Sequence, residues 1–194
     1  MKQSNMHRIF SKGAVCALLL CLASFLAGCP TVAGMYGEAY YQYLGHDESR
    51  ALGLLEQIIA KDARYTPAYV LEAAIYETRG DWNKSEETLR LAQQAGPPSP
   101  IVCFNLGNVY FKKADYRKAV DEYTRALALN PAFAEAYLNR ANAHMDLKEY
   151  EAALRDYESF LGLAKEDNPN VRALVKLLRE DLKSNESQDP ALPR

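Results

Sequence analysis

Histidine and cysteine are scarce, and the motifs built on them are missing. The 194 residues contain three histidines and four cysteines, with no HExxH pair, no CxxC pair, no Gly-rich phosphate loop and no nucleophile elbow. The sequence offers none of the usual footholds for zinc hydrolysis, phosphoryl transfer or nucleophilic catalysis, and it implies no enzyme, no metal and no cofactor. His46 falls in the turn-like run His46-Asp47-Glu48, and His144 takes a core-type helix position. A metal or acid–base role for either is the weaker reading beside a solvated turn and a bonded interior histidine. Positive charge is not in excess either: 23 Lys and Arg against 25 Asp and Glu give a formal net charge of −2. There is no basic stripe to follow a phosphate backbone, which argues against a nucleic-acid partner. The carboxylates Asp121, Glu122, Glu151 and Asp156 read as polar helix faces that solvate the surface.

What is present is helical periodicity. Across 101–131, small and apolar side chains recur at helical spacing through Cys103, Leu106, Gly107 and Tyr110. They break at Ala114 and Asp115 and resume through Tyr116, Ala119, Val120, Tyr123, Ala126 and Leu127. The spacing predicts two amphipathic helices joined by a tight turn. Asp115 accepts a hydrogen bond from the free N–H groups that open the second helix, and Pro131 bars its continuation. The small residues also recur along the chain: Ala39, Ala73, Gly107 and Ala141 follow one another at a constant interval, and Ala51, Ser85, Ala119 and Ala153 repeat the same interval. Where two helices cross closely there is room for little more than a methyl group. Two such tracks in one register mark one hairpin repeated four times, with an unrelated helical bundle as the plain alternative.

Leu106, Gly107, Tyr110, Ala119, Tyr123, Ala126 and Pro131 resemble the tetratricopeptide repeat. In that repeat Leu-Gly and Tyr on the first helix are followed by Ala, an aromatic, Ala and a closing Pro on the second; Cys103 stands where it usually has Trp. The resemblance implies an all-α superhelix, an α-solenoid, of four hairpins at 35–65, 66–99, 100–133 and 134–164. The first is degenerate, and the fourth departs from the pattern at Arg140 and His144, where Leu and Tyr are usual. Asn168 and Pro169 read as a cap and a first-turn proline, and Val171, Leu174, Val175, Leu178 and Leu182 make one apolar stripe. They predict a C-terminal capping helix over 168–184, followed by a polar, disordered tail over 185–194.

Residues 1–28 are of another kind. Lys2, Arg8 and Lys12 precede an uncharged apolar run at 14–27 that is short of the roughly 20 residues needed to cross a bilayer. Leu26-Ala27-Gly28-Cys29 resembles a bacterial lipobox, so the stretch reads as a lipoprotein signal peptide, with an uncleaved core segment as the alternative. Cleavage before Cys29 removes three of the 23 Lys and Arg and none of the 25 Asp and Glu, so the net charge becomes 20 − 25 = −5. On this reading Cys29 carries the lipid and residues 29–34 form a tether. Cys103 is then the one thiol left, a small buried hydrophobe with no disulfide partner. Several acyl chains bind a membrane far more firmly than one. Pro30, rather than Asp, after the lipidated cysteine implies by the same resemblance the periplasmic face of the outer membrane in a double-membrane bacterium, or the cell surface in a single-membrane host.

Stacked hairpins of this family curve so that the first helices line a concave groove. The register places Val70, Glu77, Phe104, Asn108, Phe111, Lys112, Leu138, Asn142 and Met145 there. Phe104, Phe111, Leu138 and Met145 are apolar where solvent is otherwise expected, which marks a partner site. The expectation is a membrane-held envelope scaffold that receives an apolar peptide segment or partner helix, with Asn108 and Asn142 holding its backbone. The competing expectation is a groove covered by the chain's own residues 31–36 or by its C-terminal tail. Asn108 and Asn139 match the asparagines of the carboxylate clamp found in some family members, but Phe104 stands where the clamp has Lys, so no clamp is expected. The runner-up function is a solute-transporter accessory that binds a small hydrophobic molecule. A structural or homo-oligomeric role through the first repeat is the third.

Overall fold

The structure, a computed structural model, describes residues 30–188. The signal peptide read at 1–28, the lipidation site Cys29 and residues 189–194 lie outside the described residues. Within them the chain is helical throughout: α1 (Val32–Leu44), α2 (Glu48–Lys61), α3 (Thr66–Thr78), α4 (Trp82–Ala95), α5 (Pro100–Lys112), α6 (Tyr116–Leu129), α7 (Ala134–Asp146), α8 (Tyr150–Leu163) and α9 (Pro169–Gln188). The first eight form four hairpins, each a 13-residue helix followed by one of 14 residues. The hairpins open at Val32, Thr66, Pro100 and Ala134, a constant interval, so the one whose sequence is least regular has the same dimensions as the best one. None of the described helices is long and apolar enough to cross a membrane.

One turn is used four times. His46, Gly80, Ala114 and Lys148 all have positive φ, at 62°, 73°, 58° and 61°. Only glycine enters that region without a Cβ penalty, so three of the four turns hold a strained residue. The residue that follows caps the second helix. Asp47, Asp81 and Asp115 accept from the N–H three positions on at 3.0, 3.2 and 3.4 Å, a bond that contributes about 1 kcal/mol. In the fourth hairpin the position is Glu149, which makes no cap bond.

Both small-residue tracks lie inside. Ala39, Ala73 and Ala141 are sealed, as are Ala51, Ser85, Ala119 and Ala153. Gly107 is tighter still: a Cβ there would fall 2.5 Å from the Tyr123 ring, closer than carbon atoms approach. Larger side chains fill the space beside the tracks, namely Leu55, Leu89, Tyr123 and Tyr157, which recur at the same interval and are all buried.

The two ends differ. Ile75, Val109 and Ala143 are buried because each faces the preceding hairpin, whereas Tyr41, at the same register position in the first hairpin, has no hairpin before it among the described residues and is 70 % exposed. At the other end α9 closes the stack. Asn168 caps it by accepting from the Val171 N–H at 3.1 Å. Val171, Val175 and Leu178 then pack on Ala141, Tyr157 and Phe160, with Leu174 half-buried beside them.

Two boundaries differ from the sequence reading. α1 starts at Val32, capped by the Thr31 hydroxyl, which accepts from the Gly34 N–H at 3.1 Å. Lys61 Nζ donates to the Pro30 carbonyl at 2.8 Å, so much of the 29–34 tether is helix or fastened to it. α9 runs to Gln188 rather than stopping at 184, because 185–188 contains no proline or glycine to end it.

Candidate functional site

The groove is built from its floor upward. Tyr123 and Tyr157 are buried beneath it, and a buried hydroxyl needs a partner. Tyr123 OH donates to Asn108 Oδ1 at 2.8 Å, and Tyr157 OH donates to Asn142 Oδ1 at 2.6 Å. Burial pushes both phenols up, that of Tyr157 to about 12 with help from Asp146 nearby, so both stay protonated donors at neutral pH. Asn139 Nδ2 also donates to Asn108 Oδ1, at 2.8 Å. These bonds use the carbonyl sides of Asn108 and Asn142. Among the described residues nothing accepts from their Nδ2 groups or donates to Asn139 Oδ1. Two amide donors and one amide acceptor are left for an occupant.

These asparagines line a concavity of 290 Å³ together with Glu77, Phe111, Lys112 and Tyr123. The first helices α3, α5 and α7 supply all of it except Tyr123, which comes from α6. Glu77 accepts from the Ser85 hydroxyl at 3.1 Å. Burial raises its carboxyl above the usual range, and the Ser85 bond and the Lys112 charge oppose that rise. The site therefore presents amides, one carboxyl and one ammonium around two aromatic rings, Phe111 and Tyr123.

Of the expected groove residues, Glu77, Asn108, Phe111, Lys112 and Asn142 meet here, and Val70, Phe104, Leu138 and Met145 do not. Val70 and Phe104 pack against the core around Leu106. Phe104 lies 5.9 Å from the Tyr123 ring and 4.7 Å from that of Phe133. Leu138 and Met145 pack against the core around Ala141 and Tyr157. The expected apolar side chains are thus half-buried against the core beside the small-residue tracks, and the concavity itself is lined by amides, two charged groups and two aromatic rings. Residues 31–36 open α1, where Met35 joins the first hairpin's core and the Tyr36 ring meets Tyr65 at 5.6 Å. They do not line the concavity.

A second polar cluster was not legible as such. Arg140 donates through Nε and Nη2 to both oxygens of Asp156 at 2.7 Å, and through Nη1 to Thr124 Oγ1 at 3.0 Å. Asp156 is 5 % exposed, so it does not solvate a surface as the sequence suggested. Glu122 is half-buried too, bonded to Arg125 at 2.6 Å and to Gln93 at 3.1 Å. His144 Nδ1 lies 2.7 Å from Glu149 Oε2 and its Nε2 lies 3.8 Å from Asp156. The His144 and Arg117 bonds hold the Glu149 carboxyl below its usual range. The two departures from the repeat, Arg140 and His144, thus share one acidic partner. The signal for it was the spacing from Arg140 to Asp156, which sets the two side chains opposite each other across the α7–α8 turn. Cys103 is buried, and burial pushes its thiol up, so it stays neutral. Among the described residues no cluster of three or more His, Cys, Asp or Glu side chains is arranged to hold a metal ion.

Comparison with known proteins agrees with this architecture. A family model described as TPR repeat matches residues 107–148, and one described as tetratricopeptide repeat matches residues 134–167. Among curated proteins, TPR repeat-containing protein YpiA of Bacillus subtilis is 28 % identical over 131 residues, which is 66 % of this chain and 30 % of that protein. The chain therefore spans less than a third of that relative's length. Among solved structures, MamA superposes with a TM-score of 0.67 at 20 % identity, covering 75 % of this chain and 84 % of that one. YrrB, described as a TPR protein with an unusual peptide-binding site, superposes with a TM-score of 0.67 at 16 % identity over 88 % of this chain and 86 % of that one. The chain carries tetratricopeptide repeats, and its fold is the all-helical solenoid of such repeats.

Proposed function

We propose that the chain is a scaffold of the bacterial cell envelope, held to the outer membrane by a lipid on Cys29, that binds an extended segment of an envelope protein in its concave groove. The observation that carries the groove reading is the set of unused amide groups on Asn108, Asn139 and Asn142 around one concavity. An extended backbone offers alternating carbonyls and N–H groups, which such amides match without reading side-chain identity. Lys112 and Glu77 add a polarity along the groove that favours one direction of the bound strand. Three amides, a carboxyl and an ammonium in the lining favour a peptide backbone over a small hydrophobic ligand as its occupant.

The test is crosslinking in the native envelope, run on the wild type and on Lys112→Glu, an exposed substitution that leaves the packing untouched. Capture of the principal partner is expected to fall at least tenfold in the variant, and equal capture would remove the groove from consideration. The anchor is tested separately with Cys29→Ser. That variant is expected to incorporate no labelled fatty acid and to leave the membrane fraction; unchanged membrane association would overturn the lipid reading while leaving the groove standing.

A further inference from the structure

Successive hairpin junctions are built alike, so one that departs stands out. Positions 56, 90 and 124 on the second helices face positions 72, 106 and 140 on the first helix of the next hairpin, as the 3.0 Å bond between Thr124 and Arg140 shows. The last two junctions each hold an arginine at one of these positions, whereas the arginine of the first, Arg79, lies beyond the end of α3 and pairs with Glu48 at 2.7 Å. Arg90 donates to the Tyr110 hydroxyl at 2.8 Å and pairs with Glu86 at 3.0 Å. Arg140 lies between Thr124 and Asp156. At the first junction the facing positions are Glu56 and Glu72, and among the described residues neither has a cationic partner. Burial and the Glu56 charge push the Glu72 carboxyl up, opposed by one bond from Tyr76. Thr88, the counterpart of Asp156 two junctions earlier, lines the same space.

These carboxylates open into a cleft of 580 Å³ between α2 and α4, floored by α3 and walled by Ile59, Ala60, Leu91 and Ala95. Leu91 is 49 % exposed there. The cleft lies among the second helices, away from the groove of the first helices. Apolar walls around two carboxylates that lack a cation fit an alkyl stem ending in a positive charge. A bare metal ion has no use for the walls, and an anionic surface is repelled by the floor.

We propose that this cleft is a second docking site, for an amphipathic segment of a partner protein whose arginine enters between Glu56, Glu72 and Thr88 as Arg140 lies between Thr124 and Asp156. The intermolecular guanidinium supplies, between the facing positions, the charge that Arg90 and Arg140 supply at the later junctions.

The test uses the full chain in detergent micelles and two synthetic helical peptides of leucine and alanine. One carries a single central arginine; the other carries citrulline, which has the same shape and no charge. The arginine peptide is expected to bind at least tenfold more tightly by calorimetry. Glu56→Gln with Glu72→Gln is expected to erase that preference at unchanged helicity. Glu56→Arg, which fills the cleft from within, is expected to abolish binding and raise the thermal midpoint. Equal binding of the two peptides, or a preference that survives the paired glutamines, overturns the proposal. Loss of binding in Lys112→Glu also overturns it, by placing the peptide in the groove; unchanged binding there keeps this site independent of the groove reading.

Discussion

The first two hairpins and the last two share one backbone but are held together by different chemistry. Around the first hairpin the buried cluster is wholly apolar, from Met35 and Leu55 to Leu71 and Ile75, and the second adds only the small buried hydroxyls of Ser85 and Thr88. In the last two hairpins the large central side chains are tyrosines rather than leucines, each with its hydroxyl on an asparagine, and Asp156 is buried on Arg140. The difference reaches the surface. Register position 40, 74, 108, 142 reads Tyr, Ala, Asn, Asn, and the asparagines appear where a tyrosine beneath requires an acceptor. The polar groove is thus partly a consequence of how the core is filled, and its amide donors are what the buried tyrosines leave unused.

Removing the buried polar contacts should cost most in the C-terminal half. Asp156→Ala leaves the half-buried Arg140 guanidinium without its carboxylate, and a loss of about 3 kcal/mol in urea denaturation is expected. The pair Arg140→Leu, Asp156→Leu should recover most of it, since apolar replacement of a whole ion pair is often neutral; failure to recover would show that the pair does more than fill space. Tyr157→Phe should lose about 1 kcal/mol through the orphaned Asn142 contact, whereas Leu55, its counterpart at the other end, has no polar group to remove. Lys148→Gly should gain up to about 1 kcal/mol by relieving the positive-φ turn, and Gly80 shows that glycine fits there.

The smallest effect is a redistribution with pH. A carboxyl whose folded pKa is raised, as at Glu72 and Glu77 through burial, weakens the fold while ionised and ceases to do so as pH falls through its raised value. A carboxyl held low, as at Glu149 by His144 and Arg117, contributes stability above the ordinary value of 4.5 that is lost as pH falls through its lowered value. Hydrogen exchange on acidification should therefore show α3 gaining protection relative to α8 above pH 4.5, with α8 losing protection below it. Uniform loss across the stack would remove the electrostatic distinction between the halves.

The architecture was legible because it rests on sterics that a sequence displays. Two tracks of small residues at one interval can be read without coordinates, and so can the Asp115 cap and the Val171–Leu178 stripe. The groove lining was legible only in part. A register identifies the helix face on which Phe104 or Met145 stands, but a side chain at the margin between core and groove turns to whichever has unfilled space, and beside Gly107 and Ala141 that is the core. The buried ion pair was hidden for a related reason. Arg140 and Asp156 each look like solvated charges, and only their separation along the chain, read against the helix lengths, brings them together.

The equality of the hairpins has a consequence for heredity. Every unit has the same length, the same left-handed turn and the same facing positions, so the natural increment of change in the gene is the coding stretch of one whole hairpin. A duplication or excision of that size rejoins helices in phase, while most smaller ones turn core positions outward. Reach can thus be altered in one genetic event, and what must be reworked afterwards is only the chemistry where the new unit meets its neighbours.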